Sequence, residues 1–219
     1  MIIGFAIGVP LYAIQNFLPQ IITRFGFDTV KTNLYTVAPN AVGSCFLVLM
    51  AHSSDFFKDR VLNLASCASL TCIGFVVLAT VDVAQHIAVG YFCCFLLCLG
   101  GFIVSPLLFT WISNNTPDEN QRAILLPVLI GLTNAMGLVA SNIFYPSSAP
   151  AYIPASIISA CFAAVGVMVV LGVGLYMRWD NHKRNTEQGV HLTAADVPTS
   201  ELKDGQKDPR WRWMGGVQF

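Results

Sequence analysis

Charge is what this sequence has least of. Lys and Arg together number 12, as do Asp and Glu, so 11% of the 219 residues are charged, against about 25% in an ordinary soluble domain. That deficit excludes a water-soluble globule, because too little polar surface is left to cover one. A formal net charge of zero, with no basic face carrying interleaved aromatics, excludes nucleic acid as a partner. The cysteines (Cys45, Cys67, Cys72, Cys93, Cys94, Cys98 and Cys161) have no histidine at metal-ligand spacing, so they read as small hydrophobes in helices, and no metal is expected. No nucleotide-phosphate loop, zinc spacing or nucleophile elbow occurs, so neither an enzyme nor a cofactor is expected. The opening MIIGFAIGVPLY lacks the basic start and small-residue cleavage site of a secretory signal. It reads as a spanning helix whose upstream neighbour is missing.

What is abundant is apolar side chain: 55% of residues, with mean hydropathy +0.63. No Asp, Glu, Lys or Arg occurs in residues 32–54, 61–81, 83–117 or 123–177, and each gap reaches the roughly 20 residues that cross a bilayer as a helix. Backbone groups in hydrocarbon must bond within their own segment. The fold class is therefore all-α integral membrane, with six transmembrane helices at about 2–22, 33–51, 61–80, 87–112, 122–145 and 152–178. The longest gap holds two of them, and YPSSAPAY, Tyr145 to Tyr152, is the turn between. Residues 1–179 form a six-helix half-bundle in the lipid bilayer, and 180–219 a cytoplasmic, mostly disordered tail. In that tail Trp211 and Trp213 with Arg210 and Arg212 either lie on the anionic inner leaflet or belong to an unstructured end.

Orientation follows from the basic residues. With both chain ends on one side, Arg24 and Lys31 fall opposite Lys58, Arg60, Arg122, Arg178, Lys183 and Arg184, a bias that places both termini in the cytoplasm. SSDFFKDR, Ser53 to Arg60, is then a tight cytoplasmic turn whose charges would each cost about 2.5–3.5 kcal/mol at a helix centre. Asn114-Asn115-Thr116 is a formal glycosylation acceptor, but it lies on the same side and is predicted to carry no sugar.

Phe17-Leu18-Pro19, Gly26-Phe27, Asn33-Leu34-Tyr35-Thr36-Val37-Ala38-Pro39, and Ser54-Asp55 with Arg60 follow in a fixed order. Together they resemble the fungal allantoate permease, or anion:cation symporter, branch of the major facilitator superfamily. Downstream, Trp111, Asn115 and Arg122 match a Trp-x3-Asn-x6-Arg signature, Tyr145 to Pro150 with Tyr152 matches an external turn, and Lys207 to Trp213 resembles a terminal aromatic-basic box. The likeness covers nearly the whole chain and implies helices seven to twelve, the C-terminal half of a major facilitator fold. Two departures stand out: Ala51 and Lys58 where the loop motif carries glycines, and Ala38-Pro39-Asn40 where Pro-Pro-Tyr is usual. The resemblance implies a proton-coupled carrier of a small organic anion, in the plasma membrane, partnered by a missing N-terminal six-helix half. The chain is then either a truncated gene model or a genuine half. The rival reading is a fragment without transport activity, or a subunit acting only with a partner half.

Transport needs polar side chains near the bilayer centre. Tyr12, Gln15 and Asn16 fall mid-way along the first span, Asn40 in the second and Asn134 in the fifth, and these are the candidate substrate-binding residues. The plainer reading is helix-to-helix hydrogen bonding, worth about 0.6 kcal/mol each. The resemblance marks Asp55, Arg60, Trp111, Asn115 and Arg122 as gating or loop-motif residues, with Asp55 and Arg60 an ion pair that steadies one access state. Pro10, Pro19, Pro39, Pro106 and Pro127 interrupt four spans, as hinges or as tolerated kinks. Gly4-x3-Gly8 and Gly100-Gly101 read as close helix contacts. No span carries a charge, so the coupling residues of a proton-driven carrier are expected in the other half.

Overall fold

The charge-free runs form helices. In a computed structural model the described residues are 2–23, 25–26, 28–57, 59–82, 85–145, 152–197, 202 and 205–215, apart from the Phe17 side chain. Arg24, Phe27, Lys58 and 146–151 of the expected external turn lie outside them. Six α-helices follow in order: α1 Ile2–Thr23, α2 Thr29–Phe57, α3 Arg60–Thr80, α4 Ile87–Asn114, α5 Glu119–Ile143 and α6 Ile153–Gln188. A 3-10 turn, Gly205–Lys207, comes after them. There is no strand among the described residues. α2 to α6 are each long and apolar enough to cross a membrane, and α1 contributes a further apolar stretch, Ile2–Asn16.

α2 outruns the stretch expected from hydropathy. Its 29 residues span about 43 Å at 1.5 Å per residue, against a hydrocarbon core of about 30 Å. Polarity ends a membrane span without ending a helix, so α2 continues through Asp55 to Phe57. Asp59 then starts α3: its backbone is extended (φ −110°, ψ 99°) and its carboxylate accepts from the Leu62 N–H at 3.0 Å, an N-cap. Asp118 does the same for α5, accepting from the Asn120 N–H at 2.9 Å.

α3 packs between α4 and α6, α1 packs on α5 and α6, and α2 lies chiefly on α4. Two clusters stack along the bundle. One joins Ile14, Leu18 and Ile22 to Phe75, Leu97 and Met136. The other joins Leu64 and Cys67 to Ile103, Leu107, Trp111 and Val170. Other large apolar side chains are turned outward: Val30 is 75% exposed, Leu34 67% and Leu49 67%. Glycines sit at the closest helix contacts, as in helix pairs packed within lipid. A methyl on Gly8 would stand 2.7 Å from Met136 Cβ and one on Gly43 3.0 Å from Cys98 O, so these helices touch at backbone distance.

The C-terminus differs from its expectation in two ways. α6 runs ten residues past 178, carried by i,i+4 pairs of Arg184 with Asp180 (2.8 Å) and Lys183 with Glu187 (3.8 Å). It stops at Gly189, whose φ of 63° is a glycine-favouring C-cap. Residues 205–215, expected in a mostly disordered tail, fold back onto the ends of α4 and α6. Trp211 and Arg212 are buried and Trp213 half-buried, so these side chains meet the bundle. Neutral acceptors explain the burial of Arg212: Asn185 Oδ1 at 2.7 Å, Gln188 Oε1 at 3.0 Å, and the carbonyls of Pro209 and Trp211 at 2.8 and 2.9 Å. Burial and the nearby Arg184 lower its affinity for the proton, partly offset by Asp180.

Candidate functional site

Close approach of α1 and α5 builds the first part of the site. Gly4 and Gly8 meet Leu129, Thr133 and Met136, and one turn further Gly137 leaves room for the Tyr12 ring, whose Cδ1 would lie 3.3 Å from a Cβ there. The Tyr12 hydroxyl donates to Asn134 Oδ1. Two of the five candidate binding residues are thus joined, from helices far apart in sequence. Gln15 and Asn16 are three and four residues on, so they share the Tyr12 side of α1. Both are exposed, and neither makes a hydrogen bond among the described residues.

Asn40 is placed differently. It is half-buried, donates from Nδ2 to Thr36 O at 3.0 Å, and receives a long contact (3.8 Å) from the Cys98 thiol of α4. No hydrogen bond joins it to the Tyr12–Asn134 pair. At the same α2–α4 contact, toward the α1–α2 connection, Tyr91 donates to Tyr35 O at 3.1 Å and stacks edge-on to the Tyr35 ring. Nothing in the spacing of these two tyrosines marks them as partners.

The loop-motif residues gather at the other end. Arg60 Nη2 lies 2.6 Å from Asp55 Oδ1, bracing the end of α2 against the start of α3. A cavity of about 100 Å³ beside this pair is lined by Leu47 and Ala51 of α2 and by Ile103, Pro106, Leu107 and Thr110 of α4. Sequence reasoning missed the second pair here: Arg178 of α6 reaches Asp59 Oδ2 at 3.2 Å, so Asp59 caps α3 and anchors α6 at once. An acid just ahead of an apolar helical run was a usable signal for the cap. The ion pair with Arg178 had none.

Trp111, Asn115 and Arg122 do not face the Asp55–Arg60 cavity. Arg122 donates twice to Thr116 O, at 3.1 and 2.8 Å, which closes the α4–α5 connection. Trp111 Nε1 donates to Met214 O at 3.1 Å, and the Asn115 amide both donates to Met214 O (3.1 Å) and accepts from its N–H (2.8 Å). Asn115, Thr116 and Trp111 are buried.

A helical bundle with apolar outward faces and an uncharged polar patch at mid-length is an integral membrane protein. The chain is 46% identical over 209 residues to an uncharacterized transporter of Schizosaccharomyces pombe, covering 95% of this chain and 41% of the relative. It is 44% identical to the MFS-type transporter efuF of Hormonema carpetanum, over 97% of this chain and 42% of that one. A high-affinity nicotinic acid transporter of Saccharomyces cerevisiae is 29% identical over 96% of this chain and 39% of its own length. The chain thus spans about two fifths of the length of the curated relatives it matches. No family model matches it, and no solved structure does.

Proposed function

We propose that this chain is the six-helix, C-terminal half of a major facilitator carrier, of the allantoate permease-like branch. The carrier moves a small carboxylate or ureide nutrient by proton-coupled alternating access. The observation that carries this reading is the polar patch of half-buried Tyr12 with exposed Gln15, Asn16 and Asn134 in a bundle whose other exposed mid-length side chains are mostly apolar. Amides facing acyl chains are costly, whereas a water-filled path between two halves would use them. Similarity over nearly the whole chain to proteins named transporters supports it, and the one named for nicotinic acid favours a carboxylate. Gln15 and Asn16 donate to the carboxylate, the Tyr12–Asn134 pair sets the shape beside them, and Asn40 lines the flank at Cys98.

The test is uptake of labelled nicotinate or allantoate by a carrier-deficient fungal host. The host would express the chain alone and together with the first six helices of the Schizosaccharomyces relative. Accumulation in the second arm at least is expected. No uptake of either compound, with both parts present in the membrane, would overturn the reading. In that system Tyr12→Phe strands the Asn134 carbonyl, and uptake is expected to fall about two- to tenfold, the effect of one hydrogen bond worth about 0.5–1.5 kcal/mol. Unchanged uptake would return the pair to helix packing.

The end that carries Arg60, Arg122 and Arg178 is the cytoplasmic one, by the excess of basic residues there. The prediction that follows is chemical: Asn114 stays unglycosylated. Endoglycosidase treatment is expected to leave the mass of the membrane-inserted chain unchanged, and a shift that disappears in Asn114→Gln would invert the orientation.

A further inference from the structure

Two consecutive residues of the C-terminal segment are held through their main chain from two different helices. Asn181 of α6 accepts from the Trp213 N–H at 2.8 Å and donates to Trp213 O at 2.8 Å. Asn115, at the end of α4, does the same to Met214. Each side-chain amide pairs a peptide group as a neighbouring strand would, and both asparagines are buried. The flanks are bonded too: Asp180 Oδ2 accepts from Trp213 Nε1 at 2.7 Å, and Gln206 Nε2 donates to Asn115 O at 2.6 Å.

Helices α4 and α6 hardly meet directly, because α3 lies between them, and α5 has few contacts with either. The segment therefore supplies the tie between the α4–α5 end and the α6 extension. It grips the end of α4 at Trp111 and Asn115. One turn back along α4 lies the cavity beside Asp55 and Arg60, lined by Leu107 and Thr110. The grip is polar and sits beyond the apolar part of the helices, so water can take over its hydrogen bonds when it lets go. Asn115 Nδ2 keeps a second acceptor, Trp111 O at 2.9 Å, in the released state.

We propose that residues 205–215 are a releasable strap across this end of the bundle, and that movement of α4 and α5 away from α6 requires the strap to detach from Asn115. The consequence for gating rests on the carrier reading, but the strap is measured without any transport. Trypsin cutting after Arg210 and Arg212, located by mass spectrometry on the purified full chain, reports strap engagement. In the double variant Asn115→Ala, Asn181→Ala, cleavage at these two sites is expected at least tenfold faster than in the wild type, with a cooperative thermal unfolding transition retained. Equal rates would show that the segment is not held by these amides and would overturn the proposal.

The second measurement places a cysteine at Leu107, a buried residue of that cavity, in a chain whose exposed Cys45 and Cys161 are serine, and follows its reaction with a water-soluble maleimide. Loosening the strap by the double variant, or removing it by deleting 205–219, is expected to raise the labelling rate at least fivefold. Faster proteolysis with unchanged labelling would make the segment a passive tether and overturn its gating role. Should the double variant fail to fold, the deletion supplies the labelling comparison and Trp111→Phe, which removes one donor to Met214 O, the proteolysis comparison.

Discussion

Alanine at position 100 is expected to disable the bundle. Gly100 of α4 lies against α3 so closely that a methyl group would overlap Thr71 Oγ1 and Cys67 O and stand 2.8 Å from Thr71 N. Two of these three atoms are backbone and cannot rotate away, so relief requires the helices to separate and the Thr71–Leu97 region to repack. Overpacking of this kind costs about 1–3 kcal/mol in well-packed cores and occasionally more. Here the upper end is expected, because the α3–α4 contact is one of the two most extensive in the bundle. The measurement is thermal unfolding in detergent followed by intrinsic fluorescence, with Gly131→Ala as the control. Nothing lies within 4 Å of a Cβ at position 131, so that change is expected to be neutral or to stabilise by about 0.5–1 kcal/mol through helix propensity. Equal melting behaviour of the two variants would mean that α3 and α4 are not in backbone contact.

Asp55→Asn is expected to lower uptake at least tenfold while leaving insertion and melting nearly unchanged. The reason lies in the exposure of the pair: Asp55 is 67% exposed and Arg60 13%. A pair so open to water on one side adds only about 0–1 kcal/mol to stability. On the carrier reading, a large functional loss then comes from the balance between access states that the pair is proposed to set. Asp59→Ala is the contrasting case. It removes the α3 cap and the charge partner of Arg178, so it is expected to destabilise by about 1 kcal/mol or more and to lower melting first. If Asp55→Asn transports like the wild type, the pair at the α2–α3 junction is a spacer.

Much of the membrane part was legible because charge is so unevenly placed. The helix starts at Arg60 and Ile87 lie within one residue of the expected ones, since each sits at or just inside a run without charge. Helix ends outside hydrocarbon were not legible. α2 goes on to Phe57 and α6 to Gln188 because water tolerates a polar helix, and hydropathy registers only where the lipid stops. Gly4, Gly8, Gly100 and Gly101 were readable as contact points from their pairing. Gly74, which meets Leu97, and Gly174, which meets Val61, have no such pattern around them.

The depth of the polar residues was legible in the sequence, their arrangement only partly. Mid-span position singled out Tyr12 and Asn134, and the fold joins them. The same criterion gave equal weight to Asn40, which spends its donor on its own helix. The tail was misjudged because its partners are remote: Met214 bonds a side chain 99 positions earlier, and Trp213 one 32 earlier. A composition that cannot build a core of its own can still be ordered by amides waiting on another surface.

The outward turn of the large side chains has a practical bearing on making this protein more robust. Soluble domains are commonly improved by filling the centre with bigger hydrocarbons. Here the helices already meet at backbone distance through Gly8, Gly43, Gly100 and Gly174, so that remedy at these contacts would push them apart. Gains should be sought at the rim instead, in better starts for α4 and α6, whose first residues lack a side-chain cap, and in added i,i+4 pairs along residues 178–188.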